Sequence, residues 1–382
     1  MEYRILGRTG LKVGAIALGC EGFADKTAEE VRADFDFAIR NGINFLDLYA
    51  SNPELRSNIG AALAGRREKF VIQGHLCSVW EEGQYLRTRD PEKSLAAFED
   101  MLARLGTDYV EIGMIHYVDA AADLREVLDG PIMRLAQRLR SEGRIRHIGL
   151  SSHNPVVAHM AARTGLIDVL MFSVNPCYDL LPPSDDVDTL WADESYAREL
   201  HNIDPERQRL YEFCEREGIA IDVMKAYGGG DLLSDANSPF GRPMTPVQCL
   251  EYALTRPGVA AVMAGCRSRA EIEAALAWCS ATAAERDYTG ALAGLDKFSW
   301  EGHCMYCGHC APCSVGIDIA GVNKYYNLTL AQHEIPETVR EHYRLLPHHA
   351  SECIACGRCE RNCPFGVDII GHMRLAAAKF GY

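Results

Sequence analysis

Ala28-Glu29-Glu30-Val31-Arg32-Ala33-Asp34-Phe35-Asp36-Phe37-Ala38-Ile39-Arg40-Asn41-Gly42-Ile43-Asn44-Phe45-Leu46-Asp47 reads as one complete structural unit. An amphipathic stretch of helical length runs to Asn41, Gly42 stands in the helix-stop position, and Ile43–Asp47 is a short apolar run of strand length. The unit recurs. Strand-like runs are expected at Ala15–Gly19, Ile43–Asp47, Phe70–Gly74, Tyr109–Ile115, His147–Ser151, Asp168–Val174, Ile219–Val223 and Ala261–Gly265. Helical patterns at Ala28–Asn41, Pro91–Leu105, Pro131–Glu142 and Asp204–Glu217 alternate with them, closed by Gly42, Gly106, Gly143 and Gly218. Eight such units in the first 285 residues fit an α/β (β/α)8 TIM barrel, whose strands are buried on both faces and therefore read as continuous apolar runs. An open doubly wound sheet is the alternative, but no G-x-G-x-x-G follows an early strand.

The chain has 382 residues, 39 basic and 53 acidic side chains, a net charge of −14 and 48% hydrophobic residues. That balance suits a globular protein of two or three domains and argues against a nucleic-acid surface, which needs clustered Lys and Arg. No apolar run is long enough for membrane insertion, and the opening residues Met1-Glu2-Tyr3-Arg4 lack a signal-peptide pattern, so a cytoplasmic location is expected.

Fifteen cysteines are unevenly spread. Seven, at positions 20, 77, 177, 214, 249, 266 and 279, stand singly, whereas eight crowd the C-terminal region. This contrast divides the chain into a barrel, 1–285, and a small helical ferredoxin-like domain, 286–382. Cys353, Cys356, Cys359 and Cys363, followed by Pro364, have the C-x2-C-x2-C-x3-C-P spacing of two-cluster ferredoxins. Three thiolates at intervals of three wrap a cubane, and the trailing Cys of each run ligates the other run's cluster. One [4Fe-4S] cluster is therefore assigned to Cys304, Cys307, Cys310 and Cys363, and a second to Cys353, Cys356, Cys359 and Cys313. An internal repeat supports this, because Cys313-Ser314-Val315-Gly316-Ile317-Asp318-Ile319 matches Cys363-Pro364-Phe365-Gly366-Val367-Asp368-Ile369 in spacing. The first run departs in having two residues before its last Cys and Ser314 in place of proline. Zinc is the alternative, but zinc ribbons use two C-x2-C pairs per ion. His303 and His309 are read as hydrogen-bonding neighbours of the first run or as solvated.

In a barrel of this kind reactive side chains sit at the C-terminal ends of the strands. Those positions hold Cys20, Asp47, Tyr49, His75, Cys77, His116, Tyr117, Ser151, Ser152, His153, Asn175, Cys177, Tyr178, Lys225, Cys266 and Arg267. Cys20, Cys77, Cys177 and Cys266 all fall near this face, where a further shared site is conceivable. Cys214, Cys249 and Cys279 read as buried helix residues. Asp179–Asn202, with Pro182-Pro183 and many acids, reads as a lid or a solvated insertion.

Tyr3-Arg4-Ile5-Leu6-Gly7-Arg8-Thr9-Gly10-Leu11-Lys12-Val13, Asn44-Phe45-Leu46-Asp47, Ile115-His116-Tyr117, Ile148-Gly149-Leu150-Ser151 and Tyr252-Ala253-Leu254, taken in order, resemble the aldo-keto reductases. With the cysteine runs, the chain resembles a branch of that family carrying a C-terminal ferredoxin-type extension. The resemblance implies an Asp, a Tyr five residues on, a Lys ending the third strand and a His ending the fourth. Asp47 and His116 match, but Asn52 and His75 stand at the Tyr and Lys positions. The catalytic set is thus Asp47, His75 and His116, with Tyr49 or Tyr117 as substitutes for the missing phenol. The resemblance also implies a nicotinamide cofactor, NADP(H), contacted by Ser151 and Ser152 and, through phosphate, by Arg267 and Ser268. Glu271, Ala274 and Ala275 replace the usual adenosine-end residues, so another redox cofactor is the alternative. Gly228-Gly229-Gly230 would allow an anion close to the backbone.

The leading expectation is an iron–sulfur oxidoreductase that passes electrons through two [4Fe-4S] clusters to or from a small-molecule substrate or redox cofactor at the barrel mouth. A ferredoxin, a flavodoxin or another redox protein would be its partner. An NADPH-dependent carbonyl reductase with structural clusters and a non-catalytic electron-transfer or redox-sensing module are the alternatives.

Overall fold

The computed structural model describes residues 1–293, 295, 297–330, 335 and 337–382, with Thr338 described by its backbone alone. Eight parallel strands close into a barrel: β1 (Ile16–Gly19), β2 (Phe45–Leu48), β3 (Val71–Leu76), β4 (Val110–Ile115), β5 (Ile145–Ser152), β6 (Val169–Ser173), β7 (Ala220–Met224) and β8 (Val259–Gly265). Their order round the barrel is their order in the chain, with β8 pairing β1. All eight lie within two residues of the strand-like runs in the sequence.

The unit quoted first shows why. Thr27 caps the helix Ala28–Arg40 in a reciprocal capping box with Glu30, and Val31, Phe35 and Ala38 bury one face of it. Gly42 then takes φ +82°, which a side chain would resist, and turns the chain into β2.

Two apolar layers hold the barrel. Residues facing outward from the strands pack on the helices in the main core. Inside, Phe45, Ile112, Met114, Val169, Met171, Ala261 and Met263 fill the lower half, sealed by Leu6 and Val13. Those two belong to an antiparallel hairpin, Tyr3–Ile5 with Lys12–Gly14, that closes the N-terminal end of the barrel. Among the described residues no helix is long and apolar enough to cross a membrane.

Asp179–Asn202 is not a loose insertion. Asp179 is fully buried, and its carboxylate accepts from Tyr211 at 2.5 Å and Tyr252 at 2.7 Å, with Arg207 at 3.5 Å. The far end, Leu200–His201, pairs in parallel with Phe298–Ser299, the segment that leads into the first cysteine run.

The internal repeat has a structural counterpart. Asp318 and Asp368 each accept from the backbone N–H three residues on, at 3.0 and 2.9 Å, at the start of helices Ile319–Leu330 and Ile369–Phe380. Gly316 and Gly366 precede them with φ +86° and +60°. The two helices pack together, and His372 Nδ1 lies 2.6 Å from Asn323 Oδ1 between them.

Candidate active site and cluster cradle

Period-two alternation along β3 turns Gln73 and His75 both into the barrel, beside Asp47 of β2. Asp47 Oδ1 accepts from Gln73 Nε2 and from His75 Nε2, each at 2.9 Å. The same Gln73 amide donates to Asp222 Oδ2 of β7 at 3.0 Å. Burial, reinforced by the Asp47 charge, holds the Asp222 pKa well above the carboxylate range.

From His75 the chain of contacts runs outward. His75 Nδ1 lies 2.8 Å from His116 Nδ1, and His116 Nε2 lies 2.6 Å from the hydroxyl of Tyr85. With Asp47 ionised and both rings neutral, one tautomer set satisfies every contact: Tyr85 O–H donates to His116, His116 Nδ1–H to His75, and His75 Nε2–H to Asp47. Burial, with the neighbouring His75 adding to it, draws the His116 pKa well below 6.5, which favours this neutral set. The row begins at a phenol that is 37% exposed and ends at a carboxylate that is 2% exposed.

Tyr85 reaches this place from a short hairpin between β3 and the next helix. Ser78–Glu81 pairs with Gln84–Arg87 across Glu82 and Gly83, whose φ values of +51° and +79° suit a two-residue hairpin turn. Cys77, at φ +69°, directs the chain out of β3 into it. Of the two tyrosines considered from sequence, Tyr49 lies flat against His116, with ring centroids 5.4 Å apart and planes 4° apart, and so walls the row. Tyr117 is turned aside at φ +53°, its ring under Arg87 and its carbonyl held by Arg87 and Arg89. Asn52, which stands where a phenol was sought, caps the helix Pro53–Leu63 by accepting from the N–H groups of Glu54 and Leu55.

The residues expected to hold a nicotinamide dinucleotide are engaged within the chain. Ser151 Oγ accepts from Tyr117 N at 2.7 Å, and Ser152 Oγ donates to Asp119 Oδ1 at 3.0 Å. Asp119 also pairs with His153 at 2.8 Å. At the corner after β8, Glu271 Oε2 accepts the N–H of Arg267 at 2.7 Å, and Ser268 caps its own helix. A phosphate reaching the Arg267 N–H would have to displace the Glu271 carboxylate, while the exposed Arg267 side chain is not part of that contact. Gly228, Gly229 and Gly230 all have positive φ and leave an open turn after β7.

The cysteines fall into two sets and a remainder. Cys304, Cys307, Cys310 and Cys363 line one cavity, with Tyr306, His309 and Phe365. Cys313, Cys353, Cys356 and Cys359 line another, with Ser314, Ile354 and Met373. Each cavity takes three residues from one run and the trailing cysteine of the other, and its donor set suits a cubane. Cys20, Cys77, Cys177 and Cys266 are each buried singly, and among the described residues no group of three or more ligand side chains converges on one ion. His309 pairs with Asp287 at 3.0 Å, while His303 Nε2 is buried and has no hydrogen-bond partner among the described residues.

The first cavity abuts the barrel. Tyr288 donates to the Met305 carbonyl at 2.7 Å, and Arg256 donates to the same oxygen. Lys324 pairs with Glu215 at 2.9 Å. Arg256 precedes β8 and lines a groove with Arg4 of the closing hairpin, so this contact lies at the N-terminal end of the barrel. Seven residues of β8, at about 3.3 Å each, put roughly 20 Å between that end and the mouth.

Comparison with known proteins agrees with this architecture. The model of the aldo/keto reductase family matches residues 11–246, and that of a 4Fe-4S dicluster domain matches residues 303–368. The uncharacterized oxidoreductase YqkF of Bacillus subtilis is 27% identical over 179 residues, 45% of this chain and 56% of that protein. L-Galactose dehydrogenase of Arabidopsis thaliana is 28% identical over 202 residues, 48% of this chain and 61% of that protein. The chain thus spans about half the length of the curated relatives it matches. Among solved structures, an aldo-keto reductase from Bacillus halodurans in its holo form superposes with a TM-score of 0.58 at 23% identity, covering 75% of this chain and 94% of that one. With its closed eight-stranded barrel and a family match over residues 11–246, the chain belongs to the aldo/keto reductase family and carries a 4Fe-4S dicluster domain at its C-terminal side.

Proposed function

We propose that the protein interconverts a small carbonyl compound and its alcohol at the barrel mouth, moving the proton along Tyr85, His116, His75 and Asp47. The observation that carries this reading is the unbroken row of contacts from the exposed phenol to the buried carboxylate. A substrate hydroxyl that gives its proton to the Tyr85 oxygen lets each donor in the row pass one on, until the charge at Asp47 is neutralised. Delivery to a carbonyl runs the row in reverse from a state holding one extra proton. Tyr85 thus replaces the phenol of the family pattern and His75 its ammonium, while His116 and Asp47 keep their places in it.

The carbonyl–alcohol couple needs two electrons and two protons: the row carries the O–H proton, and with electrons passed singly the proton of the C–H bond is exchanged with solvent at the open mouth. Two [4Fe-4S] clusters, when bound, supply or accept the electrons singly. The ligand sets we assign are Cys304, Cys307, Cys310 and Cys363, and Cys353, Cys356, Cys359 and Cys313. Their interleaving round two separate cavities, three cysteines from one run and one from the other, follows the ligand pattern of two-cluster ferredoxins and supports the assignment. Replacing Cys356 by alanine is expected to remove about half the iron, measured after anaerobic purification, by the ligand count. Full iron content in that variant would contradict the assignment.

The position of the first cavity favours a second reading, in which hydride from NADP(H) serves the mouth and the clusters are structural. Stopped-flow mixing of dithionite-reduced protein with aldehydes separates the two. Substrate-dependent reoxidation of the iron–sulfur absorbance without nicotinamide supports electron relay. A strict requirement for NADPH, with the clusters spectroscopically silent throughout turnover, supports the second reading.

A further inference from the structure

Lys225 directly follows β7, and β7 stands four places from β3 round the eight-stranded ring. It therefore rises from the wall opposite His75. The electrostatic neighbours of its ammonium are Glu21, after β1, and Asp119, after β4, both at the mouth.

Its backbone is held in the left-handed region at φ +59°, which costs a non-glycine residue free energy unless its surroundings enforce it. They do so here: the Lys225 carbonyl accepts from Asn175 Nδ2 and from Gly228 N, each at 2.9 Å. The ammonium itself lies 4.8 Å from the centroid of the Trp191 ring. Among the described residues no carboxylate oxygen comes within 4.0 Å of it. An aromatic face balances part of the charge but takes none of its three N–H donors, so the half-buried group retains hydrogen-bonding capacity.

Trp191 belongs to the insertion after β6, which reaches over the mouth: Asp185 accepts from Asn154, after β5, at 2.9 Å. The indole is 42% exposed and forms a cover that a ligand can displace.

We infer that Lys225 and Trp191 form an anion seat in the mouth, and that the substrate is a short oxo- or hydroxy-carboxylate. Its carboxylate rests on Lys225 and its reacting oxygen lies at Tyr85. The inference builds on the carbonyl–alcohol site proposed above and names its substrate class. The barrel interior is filled by side chains, so a molecule of a few carbons lies above them, between the strand ends of opposite walls. A flat carboxylate group, one charge shared by two oxygens, matches one lysine beside an aromatic slab. A phosphate dianion calls for a guanidinium or free backbone N–H groups, and the backbone N–H of Arg267, at the corner after β8, is taken by Glu271.

The test is titration of the holoprotein with oxalate, followed by tryptophan fluorescence, in the wild type and in Lys225→Met, Lys225→Arg and Trp191→Phe. A saturable change is expected that disappears in Trp191→Phe, weakens at least about tenfold in Lys225→Met and is largely kept in Lys225→Arg. In turnover, Lys225→Met should raise KM for glyoxylate about tenfold more than KM for acetaldehyde. Oxalate binding unchanged in Lys225→Met, or phosphate binding more tightly than oxalate, overturns the inference. Oxalate binding that depends on Lys225, in a protein whose turnover survives Tyr85→Phe, would retain the seat and remove the proton row.

Discussion

Replacing Tyr85 by phenylalanine is expected to lower turnover of the carbonyl–alcohol couple by about 10²- to 10⁴-fold, the range set by loss of a positioned acid–base group. Stability should change by no more than about 0.5 kcal/mol, because the ring is partly exposed on a surface hairpin and the substitution removes only its hydroxyl. The pH dependence distinguishes this role from a merely structural one. Burial pushes the Tyr85 pKa up to about 12 and holds that of His116 well below 6.5, so across the range between Tyr85 keeps its O–H and His116 stays neutral. Alcohol oxidation, which needs the row able to accept a proton, should be flat between roughly pH 7 and 10. Carbonyl reduction, which needs the row to hold one proton in excess, should rise as pH falls, with one proton taken up by the row. Both profiles should vanish with the phenol. Full activity in Tyr85→Phe alongside an inactive His116→Ala would place the donor elsewhere, with Tyr49, stacked on His116, next in line.

The barrel was legible because parallel strands buried on both faces leave little choice of residue. Val110–Ile115 and Val169–Ser173 are buried at every position, and their apolar runs stand out from the amphipathic helices between them. The cluster repeat was legible for a different reason: Gly316 and Gly366 need positive φ, and Asp318 and Asp368 each start a helix, so function and backbone both fix the pattern. Asp47, His75 and His116 stood out as strand-end residues, and the structure joins them in one row. Their outermost neighbour did not stand out. Tyr85 lies ten residues beyond His75 and belongs to no barrel strand, and only cross-strand pairing of Trp80 with Tyr85 turns it back over the mouth. The local signal was present in Glu82-Gly83, a two-residue turn between alternating runs, but four-residue strands bury too little to announce themselves. The dinucleotide corner shows the opposite limit. Ser151, Ser152, Arg267 and Ser268 are the expected residue types in the expected order, yet in three dimensions Tyr117, Asp119 and Glu271 occupy their bonding groups. Sequence spacing gives the donors but not their competitors.

The same kind of hidden competition makes Asp179 the residue whose loss should cost most stability. Read in sequence, it opens an acid-rich insertion and looks solvated. In the fold its carboxylate is fully buried and is the shared acceptor for Tyr211 and Tyr252, with Arg207 alongside, itself 1% exposed. Asp179→Ala would leave a buried guanidinium without its counter-charge and two buried phenols without acceptors, so unfolding free energy should fall by about 3–5 kcal/mol. Asp179→Asn keeps one acceptor oxygen and should lose less, which separates the charge from the hydrogen bonds. The effect should not stop at the barrel. Arg256 lies over the Tyr252 ring, 4.6 Å from its centroid, donates to the Tyr252 carbonyl and reaches the Met305 carbonyl between Cys304 and Cys307. A Tyr252 released from Asp179 therefore loosens the clamp on the first cluster loop. Urea unfolding should show the lowered midpoint for the whole chain, and iron release should accelerate first from the Cys304, Cys307, Cys310 and Cys363 set, measured by chelator trapping. An Asp179→Ala protein that unfolds at the wild-type midpoint would mean that Arg207 and the two tyrosines find other partners, and that the barrel and cluster domain are held together without this network.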